Sequence, residues 1–184
     1  MRIRPATVDD VDAIATVHVR SWQSGYRDQL PDDVLDALDP AERIPRWTAV
    51  VDATSWPERG TLVADEGSAG IVGFANLSPT RDTDHDPDVV GEITSFYVAP
   101  EIWARGVGRR LMAASIATLA LRYRQGALWV LGTNARAIRF YEATGWRADG
   151  AVKNDAVAGT PVRHLRYRHD LLDAARRMPR DPLP

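Results

Sequence analysis

Apolar positions near the start of the chain recur at helical intervals. Val11, Ile14, Ala15, His18 and Trp22 fall on one face of a helix. Thr7-x-x-Asp10 precedes them in the form of a capping box. Residues 2–4 can form a short strand ahead of that helix. Pro31 stops the chain or opens a second helical segment over 32–38, and a third is expected over 41–51. After Pro57 and Gly60 the period shortens to two. Residues 61–64 and 70–77 read as strands joined by a turn around Glu66-Gly67. An acidic loop follows over 81–88, then the longest strand candidate, 89–98, which Pro100 ends. Gly106-Val107-Gly108 opens a helix expected to run to about Tyr123. Residues 127–131 are continuously apolar, as in a strand buried on both faces. Asn134 caps another helix, and Gly145 occupies the place of a helix-ending glycine. Residues 146–152 and 162–170 read as two last strands. The order is β-α-α-(α)-β-β-β-α-β-α-β-β. It predicts an α/β (α+β) fold with helices packed on a mixed sheet.

The length of 184 residues suits one domain, expected over 1–172, with a flexible tail over 173–184 that is rich in Pro and Arg from about residue 176. Charged residues make up 26 % and hydrophobic residues 45 %, which places the chain among ordinary globular proteins. No run approaches the roughly 18 apolar residues of a membrane span. Met1-Arg2-Ile3-Arg4-Pro5 lacks the apolar core of a signal peptide, so a cytoplasmic location is expected. Cysteine is absent, which excludes a disulfide framework, a thiolate metal site and a cysteine nucleophile. The histidines His18, His85, His164 and His169 fit no metal-ligand motif, so no metal is expected. The net charge of −2 and the lack of a Lys/Arg run argue against a nucleic-acid partner.

The segment Arg105-Gly106-Val107-Gly108-Arg109 lies between a strand and a helix. The start of a helix has unpaired N–H groups and partial positive charge, and glycines let the backbone approach a phosphate closely. Arg105, Arg109 and Arg110 add charge nearby. The tripeptide alone is equally a tight turn. It is not a Walker A loop, since no Gly-Lys-Ser/Thr follows, nor a dinucleotide fingerprint, since Leu111 stands at the third glycine position.

The order of motifs is more specific than any one of them. Val98-x-Pro100, the glycine turn, an amphipathic helix, an apolar strand and then Asn134, Tyr141 and Gly145-Trp146 follow in sequence. The region FYVAPEIWARGVGRRLM resembles the acetyl-CoA motif of the GNAT acetyltransferases, and NARAIRFYEATGW resembles their following helix. The resemblance implies the GNAT fold, a central sheet of about seven strands with splayed central strands. A bulge would part the 89–98 strand from the 127–131 strand and leave a slot for pantetheine. It also implies acetyl-CoA as co-substrate, held at Phe96, Val98, Trp103, Arg105, Gly106, Val107, Gly108, Arg109, Arg110 and Asn134. Trp103 is a departure, because the family has Gln or Arg there; Arg105 stands near enough to compensate. Backbone N–H groups around 96–98 would receive the acetyl carbonyl.

Acyl transfer to an amine needs a proton acceptor, an oxyanion donor and a proton for the departing thiolate. Tyr141 lies seven residues after Asn134, two helical turns along, and the family's tyrosine there reaches the coenzyme A sulfur. Its other reading is a core aromatic beside Ala137, Phe140 and Thr144. Glu92, fourteen residues before Gly106, stands where several family members carry a catalytic glutamate. Simple alternation puts it on one face with Thr94, Phe96 and Val98. About 13 Å would separate it from Phe96 at 3.3 Å per residue, so a water would carry the proton. Its other reading is a strand-edge glutamate facing solvent.

Ser21-Trp22-Gln23-Ser24-Gly25-Tyr26-Arg27 with Leu30-Pro31 is similar to a subgroup of bacterial GNAT proteins. The family places its first helices over the acceptor site, so Trp22 and Tyr26 either wall an acceptor pocket or pack on the sheet. Asp82, Asp84, Asp86 and Asp88 alternate in the acidic loop, but Pro87 and Ile93 stand where a calcium loop needs Gly and Glu. The loop reads as solvated, or as an attractor of a cationic amine. The expected function is transfer of acetyl from acetyl-CoA to a primary amine of a small molecule or peptide, with no nucleic-acid or membrane partner. A homodimer is expected by analogy with the family. The rival reading is a non-catalytic acyl-CoA sensor on the same fold.

Overall fold

The computed structural model describes residues 1–157 and 159–172; the tail expected over 173–184 lies outside them. The chain opens with β1 (Arg2–Pro5), a short 3-10 turn and α1 (Val11–Gly25). The capping box forms, with the Thr7 N–H donating to Asp10 Oδ2 at 2.8 Å. Asp10 also accepts two bonds from Arg4, at 2.7 and 2.8 Å, and Arg4 Nε donates to Asp65 at 2.9 Å. One arginine thus ties the entry of the helix to two strands. α1 buries Val11, Ile14, Ala15 and His18, as the spacing predicts.

The remaining elements are α2 (Asp32–Asp36), α3 (Ile44–Asp52), β2 (Gly60–Asp65), β3 (Ile71–Pro79), β4 (Val90–Val98), α4 (Val107–Leu119), β5 (Gln125–Leu131), α5 (Ala135–Ala143), β6 (Arg147–Val157) and β7 (Thr160–Asp170). Some boundaries differ from expectation. The segment expected as one helix over 41–51 divides into a 3-10 turn and α3, because Pro45 belongs in a first helical turn. α4 ends at Leu119, and Tyr123 instead folds back over Gly91, where a Cβ would meet its ring at 2.4 Å.

The strands form one sheet in the order β1-β2-β3-β4-β5-β7-β6. Only β4 and β5 run parallel; every other neighbouring pair is antiparallel. α1 and α3 cover one face through Val63 and Phe74. α4 and α5 cover the other through Leu62, Ala75, Leu77, Ile93, Leu128 and Val130. This is the mixed, helix-flanked sheet that the resemblance implies.

The centre of the sheet departs from regularity in two linked ways. On the β3 side, Ile93 faces Leu77 and Ser95 faces Asn76, so Thr94 is an extra residue, a β-bulge. On the β5 side, pairing runs only from Val90–Gln125 to Ile93–Leu128 and then stops. Beyond that point β4 and β5 part into a V. The bulge also shifts the alternation. Phe96 and Val98 join Ile93 on the α4 side, whereas Glu92, opposite Ser78, lies with Ser95 and Tyr97 on the α1 side. The expectation that Glu92 shares a face with Phe96 and Val98 is therefore corrected: one inserted residue reverses the faces on either side of it.

The acidic loop is not simply solvated. Arg166 on β7, with only 7 % of its side chain exposed, donates to Asp82 at 3.0 Å, to Asp84 at 2.8 Å twice and to Asp149 at 2.7 Å. The Trp129 indole on β5 also donates to Asp82, at 3.1 Å. Hydrogen bonding to Arg166 holds the Asp84 carboxyl down at about 2. Two of the four aspartates are thus engaged by a buried arginine, which pins the loop over β5 and β7. Asp86 is exposed, and Asp88 pairs with Arg122. Asp82, Asp84 and His85 lie close enough to hold a metal, but Arg166 already supplies the cation that both carboxylates meet.

His18 sits among Trp22, Trp47, Phe74 and Tyr97, and its Nδ1 accepts the Trp47 indole N–H at 3.1 Å. Burial, with Arg43 and Arg46 nearby, pushes its pKa down to about 3, so it is neutral in the folded protein. The unfolded chain binds this proton from about pH 6.5 downward and the folded chain does not. Stability therefore falls as pH drops from about 6.5 toward 3. In His18→Gln that slope should flatten in urea titrations between pH 6.5 and 4.5; an unchanged slope would assign the loss to other groups. Arg166→Ala should release the 81–88 backbone, seen as faster amide exchange there together with a lower Tm. Retained protection would show that the loop is held by other contacts.

Candidate active site

The turn before α4 is built from two residues in the left-handed region, Ala104 (φ 65°) and Gly106 (φ 84°). Glycine adopts that region freely and alanine does so at a cost, so the local curl is stored in Ala104. A Cβ at Gly106 would find nothing within 4 Å, which leaves open space directly over the helix start. Arg105, Arg109 and Arg110 are exposed around it and have no carboxylate partner among the described residues. Open space, free N–H groups and unpaired guanidinium groups together fit a phosphate group.

The V leads away from this turn. The Ala99 N–H bonds to Val72 on β3. By alternation, the N–H groups of Phe96 and Val98 point the other way, into the V, where β5 no longer pairs with them. The Val98 carbonyl is already taken, accepting Ser21 Oγ at 3.1 Å and the Trp103 indole N–H at 2.6 Å. The remaining donors are those a chain of amides and a carbonyl would need to lie along β4. On the β5 side, Asn134 caps α5 by accepting the Ala137 N–H at 3.0 Å through Oδ1, which leaves its Nδ2 available. An extended pantetheine arm fits these groups.

Tyr141 projects from α5 beside Phe96 and Phe140, with ring centroids 6.4 and 5.6 Å away. It is 8 % exposed, and its hydroxyl makes no hydrogen bond among the described residues. Burial, and then the nearby Tyr97, push its pKa well up, so the phenol keeps its proton at neutral pH. Tyr141 thus packs in the core with an unbonded hydroxyl.

The α1 side carries a second group of aromatics. Trp22 Nε1 donates to Tyr97 Oη at 2.9 Å, so Trp22 packs on the sheet while binding a polar atom of β4. Tyr26 packs on Trp22 with centroids 4.9 Å apart. Its phenol is pushed up by burial and by its place beside the Tyr97 and Tyr141 phenols. Glu92 is 3 % exposed, not a solvent-facing edge residue. Its carboxylate accepts the Arg81 backbone N–H at 3.1 Å and the Arg81 guanidinium at 3.3 Å. Thr133 Oγ1 donates to Gln29 at 2.7 Å, joining the segment after α1 to the loop before α5 across the V.

The structure thus brings Phe96, Val98, Asn134 and Tyr141 to the V and Gly106, Val107, Gly108, Arg105, Arg109 and Arg110 to its mouth. Trp22, Tyr26 and Glu92 lie on the opposite sheet face. Tyr97, Arg136, Trp129 and Arg166 are additional residues of the site's surroundings. Tyr97 follows Phe96 directly, and no sequence signal marks the bulge that turns it toward Tyr26. Arg166 is one of several arginines in β7, and nothing in that run marks it as the buried one.

No helix among the described residues is long and apolar enough to cross a membrane. Comparison with known proteins bears on the site. An uncharacterized N-acetyltransferase, YuaI, of Bacillus subtilis is 31 % identical over 142 residues, covering 77 % of each chain. An uncharacterized N-acetyltransferase of Archaeoglobus fulgidus is 32 % identical over 143 residues, 77 % of this chain and 89 % of that one. The crystal structure of PaiA N-acetyltransferase from Thermoplasma acidophilum in complex with coenzyme A shares the fold, with a TM-score of 0.68 and 17 % identity over 92 % of this chain and 98 % of that one. Residues 18–146, from within α1 through the glycine turn to just past α5, match the acetyltransferase (GNAT) family, and the chain belongs to that family.

Proposed function

We propose that this protein transfers the acetyl group of acetyl-CoA to a primary amine of a small molecule or peptide, by direct attack in a ternary complex. The observation that carries the proposal is the V, which joins an open glycine turn at a helix start to an unbonded, protonated tyrosine hydroxyl. Acetyl-CoA supplies an activated thioester. The backbone groups of Gly106, Val107 and Gly108, with Arg105, Arg109 and Arg110, hold its phosphates. The Phe96 and Val98 N–H groups and Asn134 Nδ2 orient the arm and the acetyl carbonyl. The Tyr141 hydroxyl donates its proton to the departing sulfur.

The acceptor amine enters from the α1 side, between Trp22, Tyr26 and Tyr97. Glu92 faces that side and takes the amine proton through a water. Arg81 holds the carboxylate in one orientation through two bonds. No enzyme nucleophile takes part, so no acetyl-enzyme forms. The likeness to a coenzyme A-bound fold neighbour and to curated N-acetyltransferases supports this reading.

Calorimetry should show micromolar binding of acetyl-CoA, lost in Gly106→Trp, whose side chain would fill the open space over the helix start. Absence of binding to the wild type would overturn the proposal. Binding without turnover across an amine library would favour an acyl-CoA sensor. Once an acceptor is found, Tyr141→Phe should lower kcat roughly 10²-fold with the KM for acetyl-CoA little changed. Glu92→Gln should also lower kcat, and its deficit should shrink as pH rises and the free amine accumulates. An equal deficit at all pH values would remove Glu92 from the role of base.

A further inference from the structure

Trp103 stands where the motif calls for a polar or cationic residue, and the structure gives it a partner. Its indole N–H is fixed on the Val98 carbonyl at 2.6 Å. Over its ring, 3.2 Å from the centroid, lies the guanidinium carbon of Arg136, in the first turn of α5. The other side of this guanidinium is bounded by α1, since a Cβ on Gly25 would lie 3.4 Å from Arg136 Nη2. One turn further along α5, Phe140 lies 3.4 Å from a Cβ on Gly108. The 136–140 face of α5 therefore runs along the phosphate turn from Trp103 to Gly108, and Arg136 reaches across from the β5 arm of the V to the β4 arm.

Arg136 has no carboxylate partner among the described residues. Arg4, Arg27, Arg122 and Arg166 each have at least one. Partial desolvation pulls its pKa down, opposed among the described residues by the Tyr26 phenol, yet the side chain stays open to solvent. An accessible cation without a carboxylate partner, held beside the turn, is placed to meet an incoming anion. Stacking occupies only the face of the guanidinium. Its N–H donors lie in the plane and stay free for an oxyanion.

Building on the acetyl-CoA reading, we infer that Arg136, held flat on the Trp103 indole, is a binding residue for the diphosphate of acetyl-CoA. In this chain the cation comes to the phosphate turn from α5, and Trp103 is the platform that positions it.

The test is calorimetric binding of acetyl-CoA and of S-acetyl-pantetheine, which lacks the diphosphate, the latter by displacement. The proteins are wild type, Arg136→Ala, Trp103→Ala and the double variant, each checked for an unchanged Tm. A charge-assisted bond to phosphate predicts a roughly 10- to 100-fold weaker Kd for acetyl-CoA in Arg136→Ala, with S-acetyl-pantetheine unchanged. Trp103→Ala should weaken acetyl-CoA less, and the double variant should be no worse than Arg136→Ala, because both act through one guanidinium. An unchanged Kd in Arg136→Ala overturns the inference. So does an equal loss for both ligands, or an effect seen only in the KM of an acceptor that carries a carboxylate. A wild type that binds neither ligand overturns the acetyl-CoA reading as well, and that result is distinct from the other three.

Discussion

Between Ile93 and Val98 the central strand has a partner on one side only. β3 continues to pair with β4 across the Thr94 bulge, while β5 leaves after Leu128. Backbone groups that lose their sheet partner in a protein interior need another one. The Val98 carbonyl finds Ser21 and Trp103, and the Phe96 and Val98 N–H groups are left facing the V. That shortfall in hydrogen bonding is what makes the site: a ligand with amide and carbonyl groups can complete the sheet. The groups proposed to bind acetyl-CoA and act on it are arranged around this gap. The glycine turn lies beyond its β4 end, Asn134 and Tyr141 lie on its β5 side, and α1 lies across its other face.

The two arms of the V are held apart and in register by polar contacts. On one side of the sheet, Arg166 gathers Asp82, Asp84 and Asp149, and Asp82 accepts the Trp129 indole. The loop that leads into β4 is thereby fixed to β5, β6 and β7 beneath the point where the strands part. Arg81, next to Asp82, in turn holds Glu92. At the other end, Thr133 meets Gln29 and Arg136 meets Trp103. A buried arginine among three carboxylates is worth little as net stability but is demanding in geometry. Such an arrangement fixes the placement of the strands on either side of the V.

Aromatic packing serves the same end. His18, Trp22, Trp47, Phe74 and Tyr97 form a continuous cluster between α1, α3 and the sheet. Tyr26 and Tyr141 both lie close to the Tyr97 phenol. Burial likewise raises the Tyr141 pKa, so the group stays a phenol at neutral pH.

Much of this was legible in the chain itself. The 3.6 and 2.0 periodicities place the helices and strands to within a few residues, because each element must bury one stripe or one face. Gly106 and Asn134 announce their turn and cap through backbone requirements that few residues meet. The ordered set from Val98 to Trp146 identifies the family. What the chain alone leaves undecided is everything that depends on counting across strands or on pairing distant residues. The Thr94 bulge has no composition signal, yet it reverses which face Glu92 and Tyr97 occupy. Arg166 and Arg136 look like their neighbours in sequence, and only the fold buries one among aspartates and lays the other on Trp103. Periodicity is a local property that a sequence carries outright, whereas register and long-range charge pairing come into being when the strands meet.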